Sequence, residues 1–453
     1  MRPQPGPYKT LTTHDGISVP FYIVRFDKQG KSDASNAIAE IIDKARTASD
    51  IFFFAHGWNN DWSWATKRYE SFFEEYSKLR QQHHLTTPKG YKPMMVGVFW
   101  PSAALAFGAS ERGPTNMTLQ DMAAQDMDAD YAEDQFLSDL EEIAESLDDR
   151  DRELFYALVR APDFGHDEAR QLAELLAKGM SDTLGERDHA GGDVNPQVLL
   201  DSWAQATGID IGGGGGNQGP YLMNAQIQGK IFKPLAPLRS IARLLTFAPM
   251  KDRAGVIGRV GVSTVLQQLL DHSQAKIHLI GHSYGTKVML SALGNTDPKS
   301  RKVHSALLLQ PAISHLAFAD RLPGKSGTGG YYGLPDRVEA PIFSTFSSQD
   351  SALYRFFHWG LIRNADVGEV DIQWLLNEQP NRYAALGGYG PRQSGERLIP
   401  LQTAAKPYRL EPHTKIYGLD GSGSGQITGH GEVINPDTAW ALHSLVWHGR
   451  PHP

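Results

Sequence analysis

The sequence predicts an α/β architecture: a mostly parallel central sheet with helices on both faces. Three observations predict it. Short, almost wholly apolar runs such as IFFFA (51–55), MMVGVF (94–99) and IHLI (277–280) have the length and density of strands covered on both sides. Segments with apolar residues at helical spacing separate them, and strands alternating with helices require crossover connections. The third observation is GHSYG (281–285), a Gly-x-Ser-x-Gly stretch lying between one such strand and one such helix.

The elements follow in chain order. YKTLTT and ISVPFYIVRF are β-rich runs on either side of Asp15-Gly16, a dipeptide suited to a tight turn, so the chain should begin with an antiparallel hairpin. Residues 33–48 place Ala37, Ile38, Ile41, Ile42 and Ala45 on one helical face, and the strand IFFFAHGW follows at once. Trp64–Arg80 reads as a helix and PMMVGVFW as the next strand. After a long interruption come a helix over Ala254–His272, the strand KIHLIG, a helix over Thr286–Leu293 and the strand VHSALLL. PIFSTF and TKIYGLD read as the last two strands, and Asp437–Trp447 as the closing helix.

Residues 1–101 and 253–453 therefore form the α/β core, and 102–252 an insertion. Its first part, LQDMAAQDMDADYAEDQFLSDLEEIAESLDD, is acidic and helical in pattern with no strand, so a helical cap or lid is expected. The run Gly212–Gly219, GGGGGNQG, lacks both the preceding strand and the following Lys-Ser/Thr of a phosphate-cradling loop, and reads as a linker. Pro234–Met250, PLAPLRSIARLLTFAPM, alternates proline with aliphatic residues; it fits a lid that opens at a lipid surface, or a cap segment packed on the core.

Composition narrows the function. With 453 residues and 40% hydrophobic content the chain can bury a large core. A net charge of -7 argues against nucleic acid as partner, because phosphate binding needs a basic face. The absence of cysteine excludes disulfides, thiol catalysis and thiolate metal sites. HExxH does not occur, and neither a metal nor a cofactor is expected. No run reaches the roughly 18 apolar residues of a bilayer crossing. The start MRPQPGPYKTLTTHDG has no apolar stretch, so a cytoplasmic protein is expected, with export that needs no signal peptide left open.

A serine exposed at a strand-to-helix bend is the geometry of a nucleophile, with a tight turn as the bland alternative for Ser283. A serine hydroxyl needs a histidine base and an acid to orient it. In this type of site the acid follows the serine in sequence and the histidine comes last. Asp350 ends PIFSTFSSQD just past a predicted strand tip, on the sheet edge where ligands bind in open α/β sheets; as an alternative it caps the following SALYRFF. Downstream histidines are His358, His413, His430, His443 and His448. His430 is chosen because its glycine-flanked loop, ITGHGEVINP, follows the last strand and can return over Ser283; His443 is next. FFFAHGWNN puts His56-Gly57 at a strand end, so that the backbone N–H groups of Trp58 and Tyr284 are the expected oxyanion donors. His56 is expected to brace that loop rather than act as a base.

With these residues on the page, the chain resembles the α/β-hydrolase superfamily. HGWNN followed by GHSYG is similar to its lipase- and esterase-like serine hydrolases over residues 8–101 and 254–449. The resemblance implies an α/β-hydrolase fold, a catalytic triad of Ser283, Asp350 and His430, and an oxyanion hole at Trp58. The expected substrate is a small-molecule ester or a lipid, with His56, Gly57, Trp62 and His282 lining the pocket; Trp58, Trp62, Trp64 and Tyr284 would add aromatic surface to it, or read equally as core aromatics at the start of a helix. Transient contact with a membrane surface would accompany a lipid substrate. The alternatives are a phospholipase of the bacterial type VI effector kind and a non-catalytic binding protein of the same fold.

Overall fold

The computed structural model describes residues 6–32, 34–58, 60, 62–102, 144, 147–159, 166–182, 196, 250–323, 326–350, 352–356 and 384–450. The chain divides into two compact units. One comprises Met1–Asp121, Met250–His358 and Glu378–Pro453, the other Met122–Pro249 and Trp359–Asn377. The glycine run 212–219, the segment 234–249, Asp61 and His358 lie outside the described residues.

The larger unit is built on one sheet. Its strands are β1 (Lys9–Thr12), β2 (Ser18–Arg25), β3 (Asp50–Ala55), β4 (Pro93–Phe99), β5 (Lys276–His282), β6 (Ser305–Leu309), β7 (Ile342–Phe346), β8 (Arg397–Pro400) and β9 (Ile416–Asp420), in the order β1-β2-β4-β3-β5-β6-β7-β9-β8. Only β1 runs antiparallel to its neighbour among these. The β1–β2 hairpin closes through Asp15-Gly16, with Gly16 at φ 80° donating its N–H to the Thr13 carbonyl. Every residue of β3, β4, β6 and β7 is buried, as expected of strands covered on both sides.

Helices α1 (Ser35–Ala45) and α2 (Trp62–Gln82) lie in this unit. Phe52 and Phe54 of β3, Ile280 of β5 and Tyr417 of β9 join Phe72, Phe73 and Tyr76 of α2 and the closing helix in one buried cluster. By the two-residue alternation of a strand, Ile51 and Phe53 point to the opposite face. Gly97 of β4 lets the Tyr69 ring lie flush on the sheet: a Cβ there would come within 2.8 Å of it. The helix predicted over 254–272 runs from residue 250, is π-helical over Ile257–Val262, and continues to His272.

In the smaller unit, α3 (Asp149–Val159) and α4 (His166–Asp182) pack on each other and bury Phe155, Leu158, Leu172 and Ala173. No strand occurs among its described residues. In the larger unit, helix α5 (Ser263–His272) is the last segment of the long helix just mentioned, and α6 (Tyr284–Gly294), the short α7 (Leu386–Tyr389) and α8 (Pro436–Val446) are its remaining α-helices among the described residues. No helix among the described residues is long and apolar enough to cross a membrane.

Two readings need correction. PIFSTF and TKIYGLD are not the last two strands in sequence, because β8 lies between them and pairs parallel to β9 at the sheet edge. RLIP offers no apolar run, since β8 is exposed on most of its length and ends in proline, so its pairing is dictated by β9 rather than by its own pattern. Helix α2 also begins earlier than predicted, at Trp62.

Candidate active site

Strands β3 and β5 are neighbours, yet the chain leaves β3 toward β4 on one side and β5 toward β6 on the other. That reversal opens a crevice at their carboxyl ends, the position where open α/β sheets hold ligands. The His56-Gly57 loop leaves β3 there, and Ser283 leaves β5.

Ser283 has φ 55° and ψ -124°, a left-handed conformation that costs a non-glycine residue about 1–3 kcal/mol. The surroundings hold it there. Its N–H donates to the Leu309 carbonyl of β6 at 3.0 Å, and its own carbonyl accepts from Thr286 at 3.1 Å and from Ala312 at 3.3 Å. The flanking glycines are required by close approach. A Cβ on Gly285 would stand 2.1 Å from the Ala55 carbonyl oxygen, and one on Gly281 2.6 Å from the Thr286 Cα. Gly57 lies against the serine itself, since a Cβ there would meet the Ser283 Cβ at 2.7 Å. The backbone leading into Trp58 is thereby pressed against the bend.

Three distant side chains meet at this point. His430 Nε2 lies 2.8 Å from Ser283 Oγ, and its Nδ1 lies 2.8 Å from Asp350 Oδ2. A carboxylate only accepts, so Nδ1 carries the ring proton and Nε2 accepts from the serine hydroxyl. The Asp350 side chain is wholly buried while that of His430 is 22% exposed, which leaves the imidazole within reach of solvent. The two Asp350 oxygens make different contacts: Oδ2 faces His430, and Oδ1 accepts the Leu353 N–H at 3.1 Å in the manner of a cap.

The loops that carry the acid and the histidine are bonded to each other. Ser347 Oγ donates to the Ile427 carbonyl at 2.7 Å, the Ser348 N–H to Ser422 Oγ at 2.9 Å, and Gly421 N–H to the Phe346 carbonyl at 2.9 Å. His282 Nε2 donates to the His430 carbonyl at 2.9 Å, and the Arg68 guanidinium reaches the Gly431 carbonyl at 3.4 Å. Burial, together with the nearby Arg68 charge, holds His282 well below the usual imidazole range, so it is a neutral donor.

The other predicted residues take different places. His56 is fully buried, with Nδ1 donating to the Gly57 carbonyl at 2.8 Å, Nε2 accepting from the Trp100 N–H at 3.4 Å, and its ring stacked on Trp100. Burial lowers it to about 3, so it braces the loop as a neutral ring. The Trp62 ring packs edge-on against Phe99 and Tyr8, with the Arg25 guanidinium over it. Tyr284 is fully buried, and the Lys67 ammonium lies over the Trp64 ring. His443 stacks on Trp440 within α8, and His413 is exposed.

One buried polar residue at the site escaped the sequence reading. Gln310, directly after β6, donates from Nε2 to Asp350 Oδ2 at 2.9 Å. Its signal was a polar residue closing the apolar run LLLQP on the same sheet edge as Ser283. Comparison of the chain with protein-family models, with curated proteins and with solved structures finds no match.

Proposed function

We propose that this chain is a serine hydrolase of the α/β-hydrolase type that cleaves carboxylic esters through an acyl-enzyme. The observation that carries the proposal is the unbroken relay from Ser283 Oγ through His430 to Asp350, both links at 2.8 Å, on a serine held at positive φ. The chain order Ser, Asp, His and the strand-to-helix position of the serine agree with that superfamily.

The mechanism follows from these groups. Ser283 Oγ attacks the ester carbonyl carbon while His430 Nε2 takes its proton. The imidazolium then gives that proton to the departing alkoxide as the C–O bond breaks. Asp350 stays ionised throughout and holds the imidazolium through Nδ1. The backbone N–H groups of Trp58 and Tyr284 bind the oxyanion; the contact of Gly57 with Ser283 supports that role for the β3 loop. Water, activated by the same histidine, releases the acid.

A fluorophosphonate probe and p-nitrophenyl esters of graded chain length test the proposal. The wild type is expected to label at Ser283 and to turn over at least the short esters. Ser283→Ala should abolish labelling and lower kcat by about 10⁴- to 10⁶-fold, and Asp350→Asn by about 10⁴-fold. A wild type that folds yet neither labels nor hydrolyses any ester would favour a binding protein of the same fold. Near-full activity in Ser283→Ala would remove the serine assignment.

A further inference from the structure

We infer that Gln310 is a positioning residue for Asp350, acting through that carboxylate on the imidazole of His430; the inference rests on the hydrolase reading above. Gln310 is fully buried and sits at φ 43°, a backbone strain that the fold tolerates at the tip of β6. Its side chain is engaged at both ends. Nε2 donates to Asp350 Oδ2 at 2.9 Å and to the Gly387 carbonyl at 3.0 Å, and Oε1 accepts from Thr345 Oγ1 at 3.0 Å.

Thr345 sets which end of the amide faces the acid. Its Oγ1 accepts the Gln310 backbone N–H at 2.8 Å, which leaves its single hydroxyl proton to be donated to Oε1. A flipped amide would point Oε1 at the carboxylate, two acceptors face to face. Strand β7 thus holds Gln310, Gln310 holds Asp350, and Asp350 holds His430.

The consequence for the carboxylate is specific. Oδ2 is shared between His430 Nδ1–H and Gln310 Nε2–H, while Oδ1 is fixed by the Leu353 N–H. The carboxylate cannot rotate without breaking a bond at each oxygen, so the imidazole it orients is held as well. Part of the negative charge on Oδ2 is also taken up by the amide rather than by the imidazolium. Loss of Gln310 should therefore loosen the relay and, at the same time, leave the charge undivided toward His430, which favours the protonated ring.

The test is a set of pH–rate profiles on the full chain with a p-nitrophenyl ester. Gln310→Leu should lower kcat by roughly 10- to 100-fold with KM within about twofold, because Gln310 lies below the site and touches no substrate. The acid limb of kcat/KM should move to higher pH. Thr345→Val, which removes the hydroxyl at nearly constant shape, should give the same pattern in weaker form, and Thr345→Ser should behave as wild type. Circular dichroism checks the fold; where Gln310→Leu does not fold, the Thr345 pair decides. A uniform fall at all pH values with the acid limb fixed, or identical profiles for the two Thr345 variants, would overturn the inference and leave the hydrolase reading intact. A folded wild type that fluorophosphonate does not label at Ser283 would overturn the hydrolase reading, and this inference with it.

Discussion

At the scale of single residues, the same three side-chain types occur twice in this molecule. His278 Nε2 lies 2.9 Å from Asp50 Oδ1, and its Nδ1 lies 2.8 Å from Ser305 Oγ. Burial alone would push Asp50 up, but His278 and the Arg450 guanidinium outweigh it and hold the carboxyl below the usual range. Two features separate this string from the one at Ser283. Asp50, His278 and Ser305 are 0%, 0% and 1% exposed, and each lies at or near the start of a strand, at the edge of the sheet away from the crevice. Ser305 also opens regular β6 in line with the strand, with no bend to present its hydroxyl. Two serine substitutions should therefore have opposite effects. Ser305→Ala leaves a buried imidazole nitrogen without its donor and should cost about 1–3 kcal/mol, read as a lower urea midpoint, with fluorophosphonate labelling unchanged. Ser283→Ala should abolish labelling and, by relieving no packing, leave the midpoint nearly in place.

At the scale of elements, the loop that carries His430 is tied to α8 as well as to the Asp350 loop. Asn435 caps that helix: its Oδ1 accepts from the Asp437 and Thr438 N–H groups at 3.1 and 2.9 Å, with Pro436 at the first helical position. Its Nδ2 reaches back to the Gln426 carbonyl at 2.9 Å and the Glu432 carbonyl at 3.3 Å, on either side of His430. Asn435→Asp keeps the cap and loses these two donors, so it should lower kcat several-fold with little loss of stability. Asn435→Ala loses both functions and should cost about 1 kcal/mol in addition. Equal stability and equal kcat for the two variants would show that the loop is held elsewhere. This dependence also explains what the sequence could and could not reveal. Strands β3 and β5 were legible because two covered faces demand continuous apolar runs, and His430 because a glycine-flanked loop after the last core strand leads back to the serine. Exposed β8 and the bond from Gln310 to Asp350 are set by partners in other elements: LLLQP marks Gln310 as a polar residue at that edge, but not which group it meets.

At the scale of the whole molecule, the fold carries buried neutral histidines that make it acid-sensitive. Burial lowers His56 to about 3 and, with the Arg392 charge, His315 to about 4, each from an ordinary 6.5. Below pH 6.5 the unfolded chain binds protons at these positions and the folded chain does not. Stability is therefore unaffected above pH 6.5, falls as the pH drops below it, and levels off near the folded values. At pH 5 the loss is about 2 kcal/mol for each group. Two such groups remove a large part of the roughly 5–15 kcal/mol that stabilises a domain. The urea midpoint should accordingly be flat from pH 8 to 7 and fall steeply between pH 6.5 and 5. His315 isolates the cause, because it is buried and, among the described residues, neither of its ring nitrogens has a hydrogen-bond partner. His315→Leu removes a titrating group without breaking a bond, so the fall between pH 8 and pH 5 should shrink by about 2 kcal/mol. The same drop in His315→Leu as in the wild type would place the acid sensitivity in the other buried histidines, His304 first among them, since burial lowers it to about 4 as well.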